Sequence, residues 1–160
     1  MIAFNPDLNI RRARPEDSSA LLDLARTSFE MYVPRMGREP TPMTDNYDEI
    51  ICRDLVWVVE APEGLVAAMV LCLKEDSMLL DLLTVHPDYQ GKGLGSALME
   101  MASVETAKFG HDRVTLYTHE TMVENIALYT SRGYVETHRV DFKGGKVVYM
   151  AKELALSMAA

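Results

Sequence analysis

Residues 85–96 of the 160-residue chain read VHPDYQGKGLGS, and this stretch decides how the rest of the sequence is interpreted. It follows an apolar run at 78–85 that is typical of a β-strand and precedes apolar residues at helical spacing from Leu94 onward. Glycines at 91, 93 and 95 let backbone N–H groups turn toward one point, and the following helix adds the positive end of its dipole. The stretch therefore predicts an anion site built mainly from backbone, with Lys92 as the one nearby side-chain cation.

Three phosphate-binding patterns compete for this stretch. A Walker A loop requires GxxxxGK followed by Ser or Thr, and the sequence contains no such string. A dinucleotide fingerprint, GxGxxG, fails because Ser96 stands where the third glycine belongs. The pattern that fits is Gln-x-x-Gly-x-Gly, formed by Gln90, Gly93 and Gly95. A glycine-rich turn that binds nothing is the structural alternative.

Length and composition indicate one folded domain, 1–160, without a nucleic-acid partner. The chain is 48% hydrophobic and 25% charged, as ordinary globular domains are. Its 24 acidic and 16 basic residues give a formal charge of −8, which repels polyanions in general and excludes non-specific nucleic-acid binding. A small cationic substrate such as an amine would be attracted, whereas an anionic ligand needs a dedicated local site.

Cysteine usage and hydropathy indicate a soluble cytoplasmic protein without a membrane partner. Cys52 and Cys72 lie in apolar surroundings without CxxC spacing, which predicts reduced, buried thiols. The N-terminal residues lack the apolar stretch of a signal peptide, and the longest apolar run, Leu65–Leu73, is too short to span a bilayer. The four histidines lack metal-ligand spacing, so we predict no metal site.

The hydrophobic periodicity predicts the element order β-α-α-β-β-β-α-β-α-β-β, a mixed α/β sheet with helices on its faces. The first helix is predicted to end near Phe29, and the proline-rich segment 31–43 is predicted to be irregular. Thr44 or Asp45 is predicted to cap the second helix. The final hairpin is predicted to turn at Gly144-Gly145.

Two separated segments resemble the GNAT superfamily of N-acetyltransferases. Residues 85–96 are similar to its acyl-CoA pyrophosphate loop, and residues 125–129 with Gly133-Tyr134 resemble its second motif. The resemblance covers nearly the whole chain. It implies an α/β (α+β) fold, namely one domain with a mixed, mostly antiparallel sheet of six or seven strands, helices on both faces and a central splay between two strands.

The resemblance also implies an activity. Acetyl-CoA would be the co-substrate, and its acetyl group would pass to a primary amine of a small molecule or peptide by direct attack in a ternary complex, without an acyl-enzyme on Cys52 or Cys72. The resemblance leaves a homodimer open as the oligomeric state. The alternative of a different class is a non-catalytic acyl-CoA-binding sensor or interaction module on the same fold.

Cofactor-binding residues carry over from the family by position. Amides of the glycine loop would bind the pyrophosphate, and the backbone of 83–85 would pair with the pantetheine arm like an extra strand. Asn125 would hold the arm in place of the asparagine that many relatives have at position 122, where this chain has Met. The predicted cofactor-binding residues are Leu83, Thr84, Val85, Gln90, Gly91, Lys92, Gly93, Leu94, Gly95, Ser96 and Asn125.

Two residues are predicted to be catalytic. An amine must lose its proton before it attacks a thioester, and the leaving thiolate gains from a proton donor. The family pattern places the hydroxyl of Tyr129 as that donor. Asp81 is predicted as the general base because regular alternation would put it on one face with Leu83 and Val85, pointing into the splay. Tyr117, His119 and water chains are alternatives.

Segment 31–43 resembles a loop that walls the acceptor pocket in a group of bacterial GNAT proteins. Its prolines stiffen it, and its methionines and aromatic residues would line an adaptable apolar slot. Arg35 and Arg38 are predicted to clamp a carboxylate of the acceptor, with a solvated surface loop as the alternative.

Overall fold

The computed structural model describes residues 6–155 and contains one mixed seven-stranded sheet. Its strands are β1 (Asn9–Arg12), β2 (Leu55–Ala61), β3 (Gly64–Leu73), β4 (Met78–Val85), β5 (Arg113–His119), β6 (Val135–Phe142) and β7 (Gly145–Glu153). Its helices are α1 (Ser18–Phe29), α2 (Val33–Met36), α3 (Tyr47–Arg53), α4 (Leu94–Lys108) and α5 (Val123–Ser131). Within residues 6–155, no helix is both long and apolar enough to cross a membrane.

The strand order is β1-β2-β3-β4-β5-β7-β6. All neighbouring strands run antiparallel except β4 and β5, which are parallel. The predicted fold class, a mixed and mostly antiparallel sheet with helices on both faces, is therefore confirmed. The predicted domain 1–160 includes terminal residues that lie outside the described ones.

The helices cover both faces of the sheet. On one face, α4 buries Leu94, Leu98, Met99 and Ala102, which recur at helical spacing and pack against β3, β4 and β5. On the other face, α1 and α3 bury a second apolar cluster against β2, β3 and β4. Each fully buried Leu or Met side chain contributes about 1.5–3 kcal/mol to the free energy of unfolding. The two clusters pack against both faces of β4, the fourth of the seven strands.

The strands β4 and β5 separate at their carboxyl ends. They pair only over Met78–Leu80 and Val114–Leu116. A bulge coincides with the separation, since Leu80 lies opposite Leu71 and Leu82 opposite Val70, which leaves Asp81 without a directly opposed residue. The predicted central splay is thereby confirmed. The β5-facing backbone edge of 82–85 has no strand partner within the described residues.

Three local predictions are wrong. Segment 31–43 is not irregular, because Pro34 occupies the first turn of α2, where a missing N–H costs nothing, and 3-10 turns flank that helix. The cap of α3 is Asn46, whose side chain accepts a 3.2 Å hydrogen bond from the backbone N–H of Glu49. The last hairpin turns at Lys143 and Gly144, both with positive φ.

Candidate active site

The glycine loop joins β4 to α4 in the conformation that an anion site requires. Gly91 and Gly93 have φ values of 77° and 87°, which residues with a Cβ rarely adopt. The first hydrogen bond of the helix runs from the N–H of Ala97 to the carbonyl of Gly93, at 3.0 Å. The N–H groups of residues 94–96 therefore have no helical acceptor and lie at the positive end of the dipole.

A cavity of about 290 Å³, here called the glycine-loop cavity, lies beside this loop. One wall consists of the loop and the end of β4, and α5 and residues 31–32 form the others. All predicted cofactor-binding residues except Thr84 and Lys92 line it. A Cβ built on Gly91 or Gly93 meets no atom within 4 Å, so the space next to these glycines is open to a ligand.

Polar side chains at the loop have specific partners. The amide of Gln90 donates to the carbonyl of Val85 at 3.0 Å and so fastens the loop to the end of β4. The ammonium of Lys92 lies 5.0 Å from the ring centroid of Tyr89, and Lys92 does not line the glycine-loop cavity. The predicted side-chain cation thus faces a different groove.

Arg132 is a second cation at the loop, which the sequence analysis missed. Its guanidinium donates a 2.7 Å hydrogen bond to the hydroxyl of Ser96 in the first turn of α4. Arg132 follows the last residue of α5, and 36 positions separate it from Ser96. No local sequence signal connects the two residues, because only the packing of α5 beside α4 brings them together.

A second cavity, of about 120 Å³, lies where β4 and β5 separate and is here called the β4–β5 cavity. Its walls are largely apolar and come from α1, the segment 36–45, β4, β5 and the β6–β7 hairpin. Leu83, Asn125 and Tyr129 line both this cavity and the glycine-loop cavity. These three residues therefore mark the junction between the two cavities.

Tyr129 on α5 is buried, with 7% of its surface exposed. Its ring packs 6.0 Å from that of Tyr134, and its hydroxyl has no hydrogen-bond partner among residues 6–155. Burial raises the pKa of the Tyr129 hydroxyl well above its usual value. The group is therefore a neutral O–H donor at physiological pH, at the junction of the cavities.

Asn125 lies one helical turn before Tyr129, as its four-residue spacing predicts. Its amide donates a 3.7 Å hydrogen bond to the sulfur of Met122, which also accepts from the hydroxyl of Thr118. Met122 is buried and immediately precedes α5. The side chain of Met122 thus contacts the amide of Asn125, and Asn125 lines the junction of the two cavities.

Asp81 does not follow the alternation expected of β4. Leu80 and Leu83 pack into the same apolar cluster as α4, whereas strict alternation would put them on opposite faces. The bulge opposite Val70 and Leu71 causes this change of face. The expectation that Asp81 shares a face with Leu83 is therefore wrong, since its electrostatic neighbours lie on the face of α1 and α3.

The β4–β5 cavity contains two carboxylates close enough to interact. Asp81 accepts a 2.7 Å hydrogen bond from the hydroxyl of Tyr117 on β5. Asp45 precedes α3 and also lines the cavity. Burial, together with the charge of Asp81, raises the pKa of Asp45, and burial and Asp81 raise the pKa of Tyr117. The sequence analysis did not associate Asp45 with the site.

The two arginines of segment 31–43 do not form a joint clamp. Arg35 makes hydrogen bonds of 2.7 and 2.8 Å to the two carboxylate oxygens of Glu124 on α5. Arg38 instead lines the β4–β5 cavity, with its guanidinium 5.0 Å from the ring centroid of Phe142. Within the described residues, Arg38 has no carboxylate partner, so only this arginine is available to the cavity.

The two cysteines lie in different environments. Cys52 is exposed, so the prediction that both thiols are buried is wrong for this residue. It lies on α3 beside Ile51, whereas Tyr47 and Ile50 form the buried face. Cys72 is buried, and burial raises the pKa of its thiol to about 12. Neither cysteine lines one of the two cavities.

His119 is, like Tyr117, a predicted alternative base whose pKa is shifted. It lines the β4–β5 cavity, and its Nδ1 lies 2.8 Å from the hydroxyl of Thr121. Burial lowers the pKa of His119, the charge of Glu120 opposes this shift, and the charge of Arg38 adds to it. In the part of the chain that the structure describes, no group of three or more His, Cys, Asp or Glu side chains could hold a metal ion.

Solved structures share this fold. A PaiA N-acetyltransferase from Thermoplasma acidophilum in complex with coenzyme A superimposes with a TM-score of 0.77 at 22% identity, over 91% of this chain and 98% of that one. A GCN5-related N-acetyltransferase from Rhodopseudomonas palustris gives a TM-score of 0.75 at 23% identity, over 96% and 99%. A GNAT family acetyltransferase from Elizabethkingia anophelis with acetyl-CoA bound gives 0.67 at 14% identity, over 94% and 100%.

At these identities, the structural similarity shows the fold alone. A comparison of the sequence with curated proteins finds no match. The family model described as an acetyltransferase (GNAT) domain matches residues 52–136, which include β4, the glycine loop, α4 and α5. Because this match spans more than half of the chain, the protein belongs to the GNAT family of N-acetyltransferases.

Proposed function

We propose that this protein transfers an acetyl group from acetyl-CoA to a primary amine within a ternary complex. One observation carries the proposal: Leu83, Asn125 and Tyr129 line both cavities, so a cofactor bound along the glycine loop would present its thioester to an acceptor in the β4–β5 cavity. The charge of −8 fits a cationic acceptor. An anionic cofactor then depends on a local site.

The glycine loop suits the pyrophosphate of coenzyme A. The N–H groups of residues 94–96 are unpaired by the helix, and the positive φ values of Gly91 and Gly93 keep side chains out of the approach. The guanidinium of Arg132, which is hydrogen-bonded to Ser96, adds positive charge beside the loop. Lys92 lies over the ring of Tyr89, which makes it a weaker partner for the pyrophosphate than its position in the sequence suggested.

The separation of β4 from β5 suits the pantetheine arm. Backbone groups of 83–85 on this edge lack a strand partner, and an extended amide chain satisfies such groups in the way an added strand does. Thr84 contributes only its backbone in this arrangement, because its side chain is buried on the far side and lines neither cavity. Asn125 would bind the arm where it reaches the junction.

Asp81 is our proposed base for the acceptor. An alkylamine with a pKa of about 10.4 requires about 4–5 kcal/mol to lose its proton at pH 7. The carboxylate of Asp81 faces the cavity and is held by the hydroxyl of Tyr117, so it can accept this proton directly or through water. The neutral nitrogen then attacks the thioester carbonyl, an N–C bond forms and the C–S bond breaks.

Tyr129 is our proposed acid for the leaving group. Its buried hydroxyl is protonated and unpartnered, so it can donate to the thiolate sulfur as the C–S bond breaks. The nitrogen loses two protons overall, of which one ends on the sulfur and one in solvent. No enzyme thiol takes part, which agrees with the absence of Cys52 and Cys72 from both cavities.

Release of the coenzyme A thiol in the presence of added amines tests this proposal. We expect wild-type protein to release thiol from acetyl-CoA at a rate that depends on the amine concentration. Acetyl-CoA binding without amine-dependent release, over a panel of small amines, amino acids and peptides, would support the non-catalytic binding module instead. The double variant Cys52→Ala and Cys72→Ala should retain turnover. Its inactivity with an intact fold would indicate covalent catalysis.

A further inference from the structure

The β4–β5 cavity contains more negative charge than a single base requires. Asp81 has only the Tyr117 hydroxyl as a hydrogen-bond partner, and Asp45 has no hydrogen-bond or ion-pair partner within residues 6–155. The cationic side chain whose charge acts on Asp45 is Arg53, and its guanidinium is 2.9 Å from the carboxylate of Asp54. Two carboxylates thus face one cavity without a cation bound to either.

This arrangement is electrostatically unfavourable in the ligand-free protein. Like charges in a partly desolvated site raise each other's free energy, whereas a cation between them is attracted by both. The surrounding walls include Phe29, Pro40 and Leu82, which offer no compensating charge. A ligand with two positive charges would therefore satisfy both carboxylates, whereas a monoamine would leave one of them unpaired.

A third polar group without a protein partner faces this cavity. Tyr129 is more than nine-tenths buried, and its unpartnered hydroxyl lies where the two cavities meet. Polar groups at buried residues usually have a hydrogen-bond partner, so this hydroxyl is available to one that a bound molecule supplies. The acid pair and this hydroxyl thus line the same cavity, and Tyr129 also borders the glycine-loop cavity.

We propose that the acceptor is a diamine or polyamine, an inference that rests on the acetyltransferase function proposed above. One amine would lose its proton to Asp81 and receive the acetyl group. A second amine would remain an ammonium bound to Asp45, which precedes α3 and has no hydrogen-bond or ion-pair partner within residues 6–155. Asp45 is then a specificity-determining residue that selects acceptors with two positive charges.

Arg38 favours a different acceptor, one with a carboxylate. Its guanidinium lies 5.0 Å from the ring centroid of Phe142, and its charge acts on His119. Arg38 thus lies on the side of the cavity that the β6–β7 hairpin and the end of β5 form. An amino acid would pair with Arg38 and with one carboxylate only, which leaves the second carboxylate unexplained. The acid pair therefore favours the diamine.

Three acceptors of matched length separate these alternatives in the thiol-release assay: 1,4-diaminobutane, butylamine and 4-aminobutanoate. We expect kcat/KM for the diamine to exceed that for butylamine by about 10–100-fold, because only the diamine has a second ammonium that can form a charge-assisted hydrogen bond with Asp45. In Asp45→Asn, this preference should fall to within about threefold of unity, whereas Asp48→Asn, an exposed carboxylate on α3, should keep it. The values of kcat/KM for diamines of three to five carbons then indicate the distance between the reacting amine and the ammonium bound to Asp45.

Binding without turnover tests the inference separately from the activity. Calorimetry with 1,4-diaminobutane and coenzyme A-loaded protein should detect binding to wild type that is at least tenfold weaker in Asp45→Asn. Thiol release by butylamine at the rate of the diamine, or best by 4-aminobutanoate, would overturn the diamine inference and leave the acetyltransferase proposal standing. Absence of thiol release with any amine would contradict the proposed function, and absence of diamine binding would overturn the inference on its own.

Discussion

The hydroxyl of Tyr117 on β5 donates a 2.7 Å hydrogen bond to the carboxylate of Asp81 on β4, across the gap where the two strands separate. The bulge turns Asp81 toward this gap, and the bond restrains its carboxylate there. A charge-assisted hydrogen bond of this length is worth about 1.5–3 kcal/mol. It connects the two strands beyond the last pair of the sheet ladder.

Tyr117→Phe should therefore impair the acceptor half of the site alone. We expect kcat to fall by about 3–10-fold because the carboxylate loses its fixed orientation. The dissociation constant of coenzyme A should stay within twofold of wild type, since Tyr117 does not line the glycine-loop cavity. Steady-state kinetics and calorimetry measure both quantities. A variant with unchanged kcat would show that the bond has no positioning role.

Tyr129→Phe should lower kcat by about 10²–10⁴-fold and leave coenzyme A affinity nearly unchanged, because it removes only the proton donor. Tyr134→Phe is the matched control, since this ring packs against Tyr129 but its buried hydroxyl has no hydrogen-bond partner. The control should keep its turnover and gain up to about 1 kcal/mol in free energy of unfolding. Full turnover by Tyr129→Phe would remove this residue from the mechanism.

Arg132→Gln should weaken coenzyme A binding more than Lys92→Gln does. The guanidinium of Arg132 is hydrogen-bonded to Ser96 in the first turn of α4, whereas the ammonium of Lys92 lies over the ring of Tyr89 and faces a different groove. We expect a loss of about 3–10-fold for Arg132→Gln and less than twofold for Lys92→Gln at low salt, with the difference shrinking as salt rises. Calorimetric titrations at two salt concentrations measure this, and the reverse order of effects would contradict the arrangement.

Asp17 provides a test of pH-dependent stability away from the site. Its carboxylate accepts hydrogen bonds of 2.7 and 2.9 Å from the guanidinium of Arg11, which lowers the pKa of Asp17 below its usual value of 3.8. The stabilisation is therefore complete above about pH 4 and is lost as pH falls through the lower folded value.

Asp17→Asn should accordingly reduce the free energy of unfolding by about 1–2 kcal/mol at pH 7. This difference in free energy of unfolding should shrink as pH approaches 2, because the carboxylate of Asp17 in the wild-type protein is then protonated and loses its charge. Asp23→Asn, an exposed carboxylate on α1, should change stability little at either pH. Urea unfolding at both pH values measures the difference. An equal deficit at pH 7 and pH 2 would show that the effect does not come from the ion pair.

Much of the fold could be predicted because the decisive signals are local. The apolar run of 78–85 predicts both ends of β4 as the structure has them, and the helical spacing from Leu94 predicts the first residue of α4. Gly91 and Gly93 marked the one place where the backbone needs positive φ before a helix. Such signals depend only on neighbours in the chain.

The rest depends on partners distant in the sequence. The bulge at Asp81 is set by the register against β3, and a single extra residue changes which face the following side chains occupy. Asp45 meets Asp81 only because α3 packs with α1 on one face of the sheet, beside β2. Arg35 similarly binds Glu124, 89 positions away, instead of an acceptor. The hydrophobic periodicity of a single segment does not predict such contacts between residues that are distant in the sequence.

Calorimetry with coenzyme A on a pair of glycine variants tests the glycine loop most directly. Gly93 and Gly110 have φ values of 87° and 79°, and an added Cβ meets no atom within 4 Å at either position. Both alanine variants should thus lose a similar 1 kcal/mol or so of stability. We predict about tenfold weaker coenzyme A binding for Gly93→Ala and wild-type binding for Gly110→Ala. Wild-type affinity in Gly93→Ala, or no binding to the wild-type protein, would contradict the account.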